Sequence, residues 1–136
     1  MTGVESAERF LNRFSRWALK QANIEAVALV GSHARNAAIA ASDVDLVIIT
    51  TRPEMYLQDQ CWVAYFGKVE RQQTEDYGLL TSIRACYVGG PEVEYGITDE
   101  SWSALPLDDG TRAVISDGMK IMFERGPLLS RHQKNI

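Results

Sequence analysis

Two aspartates separated by a single residue open an apolar segment of the chain. Asp43 and Asp45 begin the run Asp43-Val-Asp-Leu-Val-Ile-Ile49, whose β-branched residues predict a strand. Because side chains two apart on a strand point to the same face, the two carboxylates are expected to converge on one side. Mg²⁺ prefers a few carboxylates together with the phosphate oxygens of a substrate. The pair therefore predicts a magnesium platform, on which a divalent ion would relieve the repulsion between the like charges.

A third acid is expected as well, because two-metal phosphoryl-type transfer needs ligands for both ions. Glu92 and Glu94 lie two apart in a second apolar run that predicts a strand. One of them would point into the same site if this strand lies beside the strand of Asp43 and Asp45. The alternative for either glutamate is a solvent-facing position on a half-exposed strand.

Gly31 and Ser32 follow another apolar run, residues 25–30, which also predicts a strand. Glycine lets the backbone approach a phosphate closely, and serine offers a hydroxyl and an amide at a helix N-terminus, where anions are favoured. Arg35 lies one turn further on, where it could reach a triphosphate or simply lie at the surface. These residues predict a cradle for phosphate groups.

Other residues could take part but have a commoner explanation. Surface roles are favoured for three basic residues that could meet nucleotide or acceptor charge, namely Lys68, Arg71 and Arg84. A core face of one helix is favoured over base stacking for three aromatic residues, namely Trp62, Tyr65 and Phe66. Gly96 and Gly110 are interpreted as turn or bulge residues.

The elements that must position these residues can be outlined from the pattern of apolar residues. Thr2 and Glu5 have the spacing of a helix capping box, and the helix they open has an apolar face formed by Val4, Ala7, Phe10, Leu11, Phe14, Trp17 and Ala18. Further helices are predicted over residues 33–41 and 53–66, the second ending at Gly67, with strands over residues 25–30, 43–49, 79–88, 92–98 and 119–123. The runs on either side of residues 89–91 predict a hairpin. Helices mixed with such a sheet are typical of an α/β or an α+β fold, and the pattern does not separate the two.

Composition excludes several classes of protein. The chain has 136 residues and a net charge of -4, and this acidic balance argues against a dedicated nucleic-acid binder. The two cysteines, Cys61 and Cys86, form no Cys-x-x-Cys or Cys/His cluster. We therefore expect no zinc module, but two packed thiols in a reducing cytoplasm. No apolar run is long enough to span a membrane and no signal peptide is evident. A single cytoplasmic domain over residues 1–136 is predicted.

With Gly31-Ser32, a ten-residue interval and Asp43-x-Asp45, the chain resembles the nucleotidyltransferase superfamily related to DNA polymerase beta. Its spacing is similar to that of the minimal nucleotidyltransferase group. The resemblance implies the nucleotidyltransferase fold, a mixed twisted sheet with helices packed on one face. It also identifies Glu94, set between apolar neighbours, as the third carboxylate. The runs Glu92-Val-Glu-Tyr-Gly96 and Pro106-Leu-Asp-Asp-Gly-Thr111 are similar to small bacterial proteins akin to aminoglycoside adenylyltransferases.

This resemblance implies a Mg²⁺-dependent enzyme that transfers a nucleoside monophosphate, AMP from ATP, to a hydroxyl of an aminoglycoside-type acceptor. Two ions would be held by Asp43, Asp45 and Glu94, which are the catalytic residues, and the nucleotide by Gly31, Ser32 and Arg35. The chain departs from many relatives at Asn36, where they have glycine.

A rival hypothesis is a minimal nucleotidyltransferase antitoxin that binds or modifies a HEPN-type partner protein. Larger antibiotic-modifying relatives have a helical C-terminal domain that holds much of the acceptor, whereas little sequence follows Gly126. A partner chain or a second copy in a homodimer could supply that function. Against the rival, the run from Pro106 to Gly126 is more similar to the antibiotic-modifying type.

Overall fold

Six strands form one mixed sheet in the computed structural model of the chain, which describes residues 3–30, 43–78, 80–89, 91–99 and 119–125. The strand order is β3-β4-β5-β2-β1-β6. In chain order the elements are α1 (Gly3–Leu19), β1 (Ile24–Val30), β2 (Val44–Thr50), α2 (Pro53–Gln58), a 3₁₀ helix (Cys61–Phe66), β3 (Val69–Asp76), β4 (Thr81–Tyr87), β5 (Glu92–Thr98) and β6 (Met119–Glu124).

Pairing within the sheet confirms the predicted strands and the hairpin. The strands β4 and β5 are antiparallel neighbours, and Gly89 in the turn between them has φ 67°, a conformation that favours glycine. Strand β5 also pairs with β2, and this pair is parallel, whereas β1 pairs antiparallel with both β2 and β6. The strand of the predicted third acid therefore lies beside the strand of Asp45.

The described helices pack on one face of this sheet, as predicted. The apolar face of α1 places Phe10 and Phe14 in the core, where Phe14 is fully buried. These rings contact Phe66 of the 3₁₀ helix and Tyr95 of β5, with centroid separations of 5.4–6.0 Å. Aromatic packing of this kind adds to the free energy gained from burial alone. It fixes β5, the strand that carries the glutamates, against the helical layer.

The helix predicted over residues 53–66 is wrong in its length. Helix α2 ends at Gln58 and a separate 3₁₀ helix begins at Cys61. The side chain of Asp59 accepts a hydrogen bond of 3.1 Å from the Cys61 amide, and such local bonds compete with helix continuation. The change of helical period buries Trp62 and Phe66 but leaves Tyr65 67% exposed. The predicted common core face is therefore incorrect for Tyr65.

Strand β3 was not predicted. Its sequence, Val-Glu-Arg-Gln-Gln-Thr-Glu-Asp, has no alternation of apolar and polar residues, and most of its side chains are exposed. It pairs only with β4 in the described sheet order. Charged side chains are typical of such an edge strand, where they discourage pairing with another chain.

The second face of the sheet is also apolar near its centre. Five small or β-branched residues form this buried cluster, namely Ala26, Ala28, Val30, Val47 and Ile49, with Leu80, Met119 and Ile121 packed against it. Gly96 lies on the same face, within the unbroken register of β5, so its interpretation as a turn or bulge residue is wrong. A Cβ atom there would lie 2.8 Å from Leu80 Cδ1 and 3.1 Å from the Leu46 carbonyl oxygen.

The cysteines are both free, and Cys61 is exposed rather than packed, which corrects the expectation for that thiol. Among the described residues, no helix has the length and apolar character needed to cross a membrane. The predicted capping box at Thr2, the helix over residues 33–41 and the loop around Gly110 lie outside the described residues.

Candidate active site

The parallel pairing of β2 and β5 places the proposed acids side by side. Asp45 on β2 is in direct register with Glu94 on β5. Their carboxyl groups are close enough to interact through a hydrogen bond. On the other side of β2, Asp45 is in register with Val30, the last residue of β1. The sheet thus brings one aspartate and one glutamate together where β1 leads into Gly31.

Asp43 and Glu92 form a second acidic contact just beyond the first. Asp43 immediately precedes β2, and its carboxyl group is close enough to that of Glu92 for a hydrogen bond when one of the two is protonated. Since Val44 is in register with Val93, this contact continues the same parallel pairing by one residue. Each aspartate therefore has its own glutamate neighbour, and the geometry brings both Glu92 and Glu94 to the aspartates.

Both oxygens of Glu94 are engaged by donors from β4. The hydroxyl of Ser82, which is 2% exposed, donates to Oε1 at 2.8 Å. The guanidinium of Arg84 donates to Oε2 at 3.1 Å. A second nitrogen of Arg84 lies 3.8 Å from Glu92 Oε1. Charge-assisted hydrogen bonds of this type hold a carboxylate in one orientation, so β4 orients Glu94.

Burial and mutual repulsion make the aspartates harder to ionise. Burial, followed by the charges of Glu94 and Asp43, raises the pKa of Asp45 from its ordinary value of 3.8 to about 6. Burial and the charge of Glu92 raise the pKa of Asp43 as well. Arg84 opposes both shifts through its positive charge. The cluster therefore carries unfavourable negative charge that a bound cation would relieve.

The donor set fits a magnesium ion in its chemistry, because all four acidic side chains offer hard carboxylate oxygens. Within the described part of the chain, however, no three His, Cys, Asp or Glu side chains are grouped as a metal site in their present arrangement. The oxygens of Glu94 are instead bonded to Ser82 and Arg84. Metal binding by Asp43, Asp45 and Glu94 stays a prediction, and it requires Glu94 to share or exchange these partners.

The predicted phosphate cradle, Gly31, Ser32 and Arg35, lies outside the described residues. The structure places Val30, the residue before Gly31, next to the acids, because Val30 is paired with Asp45. The three residues remain predictions from sequence.

A polar groove of about 530 Å³ lies beside the acids, on the surface of β3 and β4. It is lined by Arg71, Gln72, Gln73, Arg84, Cys86 and Glu92. Since Arg84 also bonds to Glu94, the groove reaches the acidic cluster. Arg71 and Arg84, for which surface roles were favoured, both line it.

Ser82 was missed by sequence analysis, and the contact of Arg84 with Glu94 was not foreseen. A signal was present, because Ser82, Arg84 and Cys86 alternate with the apolar residues of β4. This period of two places them on one face. Choosing that face required the hairpin register, Arg84 opposite Glu94, which the sequence does not provide.

Comparison with known proteins agrees with this architecture. The sequence model of the streptomycin adenylyltransferase family matches residues 4–87, more than half of the chain. The structure is similar to that of an aminoglycoside 6-adenyltransferase from Bacillus subtilis, with a TM-score of 0.56 and 18% sequence identity. The match covers 68% of this chain and 35% of that one, so the chain spans about a third of that relative. No curated protein matches the chain in sequence. From the family match and the shared fold, we conclude that this nucleotidyltransferase-type domain belongs to the streptomycin adenylyltransferase family.

Proposed function

We propose that the chain catalyses the Mg²⁺-dependent transfer of AMP from ATP to a hydroxyl group of an aminoglycoside-type acceptor, with release of pyrophosphate. The observation that carries the proposal is the direct register of Asp45 and Glu94 on neighbouring parallel strands. It sets two carboxylates side by side at the level of Val30, the last residue of β1, which is paired with Asp45. Membership of the streptomycin adenylyltransferase family supports the reaction class.

In this reaction the acceptor oxygen attacks the α-phosphorus, and the bond from that phosphorus to the bridging oxygen breaks. Pyrophosphate leaves with the electron pair of that bond. Bound Mg²⁺ would supply charge neutralisation for the phosphates and for the attacking oxygen. Asp43 and Asp45 would hold the ions, and Gly31, Ser32 and Arg35 would bind the phosphates.

Glu94 would have two roles in this proposal: it would help to hold a metal ion, and it would accept the proton of the acceptor hydroxyl. Its position next to Asp45 supports this choice over Glu92, which neighbours Asp43 at the outer end of the strand pair. Ser82 and Arg84 would orient the Glu94 carboxylate for both roles.

The groove beside Glu92 supports an approach of the acceptor from the β3–β4 side. Its lining combines the amide groups of Gln72 and Gln73, the Glu92 carboxylate and the guanidinium groups of Arg71 and Arg84. The amides and the carboxylate suit the hydroxyl groups of a polyhydroxylated molecule, and Glu92 is the lining group that suits an ammonium. The groove volume of about 530 Å³ lies within the usual range of small-molecule sites.

The test is an incubation with ATP labelled in its α-phosphate, with Mg²⁺, and with streptomycin, other aminoglycosides or cell lysate as acceptors. We expect the label on an aminoglycoside and an equal amount of pyrophosphate, with neither product from Asp45→Asn. Label on a lysate protein would instead support the antitoxin hypothesis. Absence of transfer to every acceptor would contradict the proposed function.

A further inference from the structure

Arg84 is the basic residue at the centre of the acidic cluster. Its guanidinium contacts Glu94 at 3.1 Å and Glu92 at 3.8 Å, and its charge acts on Asp43 and Asp45 as well. Between described residues, both ion pairs that involve the cluster are made by Arg84. In the part of the chain that the structure describes, one monovalent cation thus faces four carboxylates.

A guanidinium and a divalent ion cannot both bind Glu94 without repelling one another. Like charges a few ångströms apart repel more strongly at the effective dielectric of a protein surface than in bulk water, and a divalent ion doubles the repulsion of a monovalent one. Arg84 is 40% exposed in its side chain, so screening by water lowers this repulsion. The phosphates of a nucleotide would add negative charge and offset the repulsion that remains between Arg84 and the metal ion. A bare metal ion lacks that compensation.

We propose that Arg84 is an internal counter-ion of the acidic cluster that weakens the binding of bare divalent cations and so makes metal binding depend on nucleotide phosphates. Arg84 is then a positioning residue, which holds Glu94 toward Asp45 until the nucleotide arrives with its cation. The dependence on a nucleotide rests on the proposed function. The competition between Arg84 and a metal ion rests only on the contacts of the cluster.

The test measures Mn²⁺ binding to the full chain by electron paramagnetic resonance, without nucleotide and with a non-hydrolysable ATP analogue. Arg84→Gln is expected to bind Mn²⁺ alone about tenfold more tightly than the wild type, which corresponds to about 1.4 kcal/mol. The factor by which the ATP analogue increases the Mn²⁺ affinity should be smaller in Arg84→Gln than in the wild type. Equal or weaker binding of Mn²⁺ alone by a folded Arg84→Gln would overturn the proposal.

The matched control is Arg71→Gln, which removes the same charge from the neighbouring strand β3, where Arg71 makes no ion pair with another described residue. It should change Mn²⁺ affinity by less than about twofold, since exposed charges are strongly screened. Arg84→Lys keeps the charge and should stay within about threefold of the wild type. If Arg84→Gln fails to fold, a tenfold gain in Arg84→Lys would still contradict a role based on charge.

Asp45→Asn separates this proposal from the proposed function. If Asp45→Asn binds Mn²⁺ with the ATP analogue as tightly as the wild type, the aspartate holds no metal and the proposed function fails. If Asp45→Asn loses that binding but Arg84→Gln gains none, only the role of Arg84 fails.

Discussion

Asp45 is proposed to bind metal, which requires an ionised carboxylate. Its partial burial beside Glu94 makes that ionisation less favourable. Asp45→Asn should lower nucleotide transfer by at least about a hundredfold, in line with the loss of other groups that stabilise transition-state charge. The same variant should unfold at an equal or higher temperature at pH 7.5 without metal, because the substitution removes a carboxylate that repels its neighbours. The measurements are pyrophosphate release and a thermal melt. Full activity in Asp45→Asn would remove Asp45 from the mechanism.

The raised pKa of Asp45 also predicts how stability depends on pH. The folded, metal-free protein keeps the Asp45 proton up to about pH 6, whereas the unfolded chain loses it near the ordinary value of 3.8. Between these values the folded state binds more protons, so the free energy of unfolding falls as pH rises through this window and the loss persists above it. For a part-exposed carboxylate the effect is on the order of 1 kcal/mol. Urea titrations at pH 5 and pH 7.5 should show a smaller difference in Asp45→Asn. A difference as large as that of the wild type would contradict the shift.

At the level of single residues, the sequence predicted the acids but not the side chains that contact them. Asp43, Asp45 and the two glutamates could be found because each pair keeps the two-residue spacing of one strand face. Ser82 could not be singled out, since a serine in an apolar strand has many explanations until its partner is known. The contact with Glu94 depends on the β4–β5 register, which is set by the whole hairpin.

At the scale of elements, β5 approaches its neighbours closely at Gly96. In Gly96→Ala the new methyl group would meet Leu80 and the Leu46 carbonyl oxygen. Overpacking of this kind costs about 1–3 kcal/mol. The Leu80 side chain can move aside, but the contact with the Leu46 carbonyl oxygen is relieved only by a small shift of β5 away from β2. Urea unfolding should show the loss of stability, and nucleotide transfer should fall because Glu94 lies two residues away.

A double variant distinguishes the two contacts. Adding Leu80→Ala to Gly96→Ala removes the side-chain contact but leaves the backbone oxygen in place, so only part of the stability should return relative to Leu80→Ala alone. Complete recovery would show that the Leu46 oxygen does not restrict this position. No loss in Gly96→Ala itself would show that neither contact matters.

The prediction of elements succeeded where apolar residues have a clear period and failed where they do not. The strands around Val27, Leu46 and Tyr95 are buried and apolar, and their positions were predicted closely. Strand β3 is polar and depends on hydrogen bonds to β4, so its own residues give little signal. The break between α2 and the 3₁₀ helix involves a hydrogen bond to the Asp59 side chain. The spacing of apolar residues gives no information on such a polar contact.

For the molecule as a whole, binding of nucleotide with metal should raise thermal stability by mass action. Four melts are compared: protein alone, with Mg²⁺, with ATP, and with both. The combination should stabilise the fold by about 2.7 kcal/mol when free ligand is a hundred times its dissociation constant. ATP alone should do much less, because its phosphates would face carboxylates without a bridging cation. A shift with ATP alone as large as with both would mean that nucleotide binding does not use the aspartates.

The parallel pairing of β2 with β5 also has a consequence for how the protein is made. Four elements (α2, the 3₁₀ helix, β3 and β4) lie between these strands in the chain, so their contact has a large sequence separation. Contacts of this kind close long loops and form slowly, after the local hairpins. We therefore expect Asp45 and Glu94 to be apart during early folding and the acidic cluster to form only once the sheet has closed. The proposed catalytic residues would then be brought together by a late folding step rather than by any local segment of the chain.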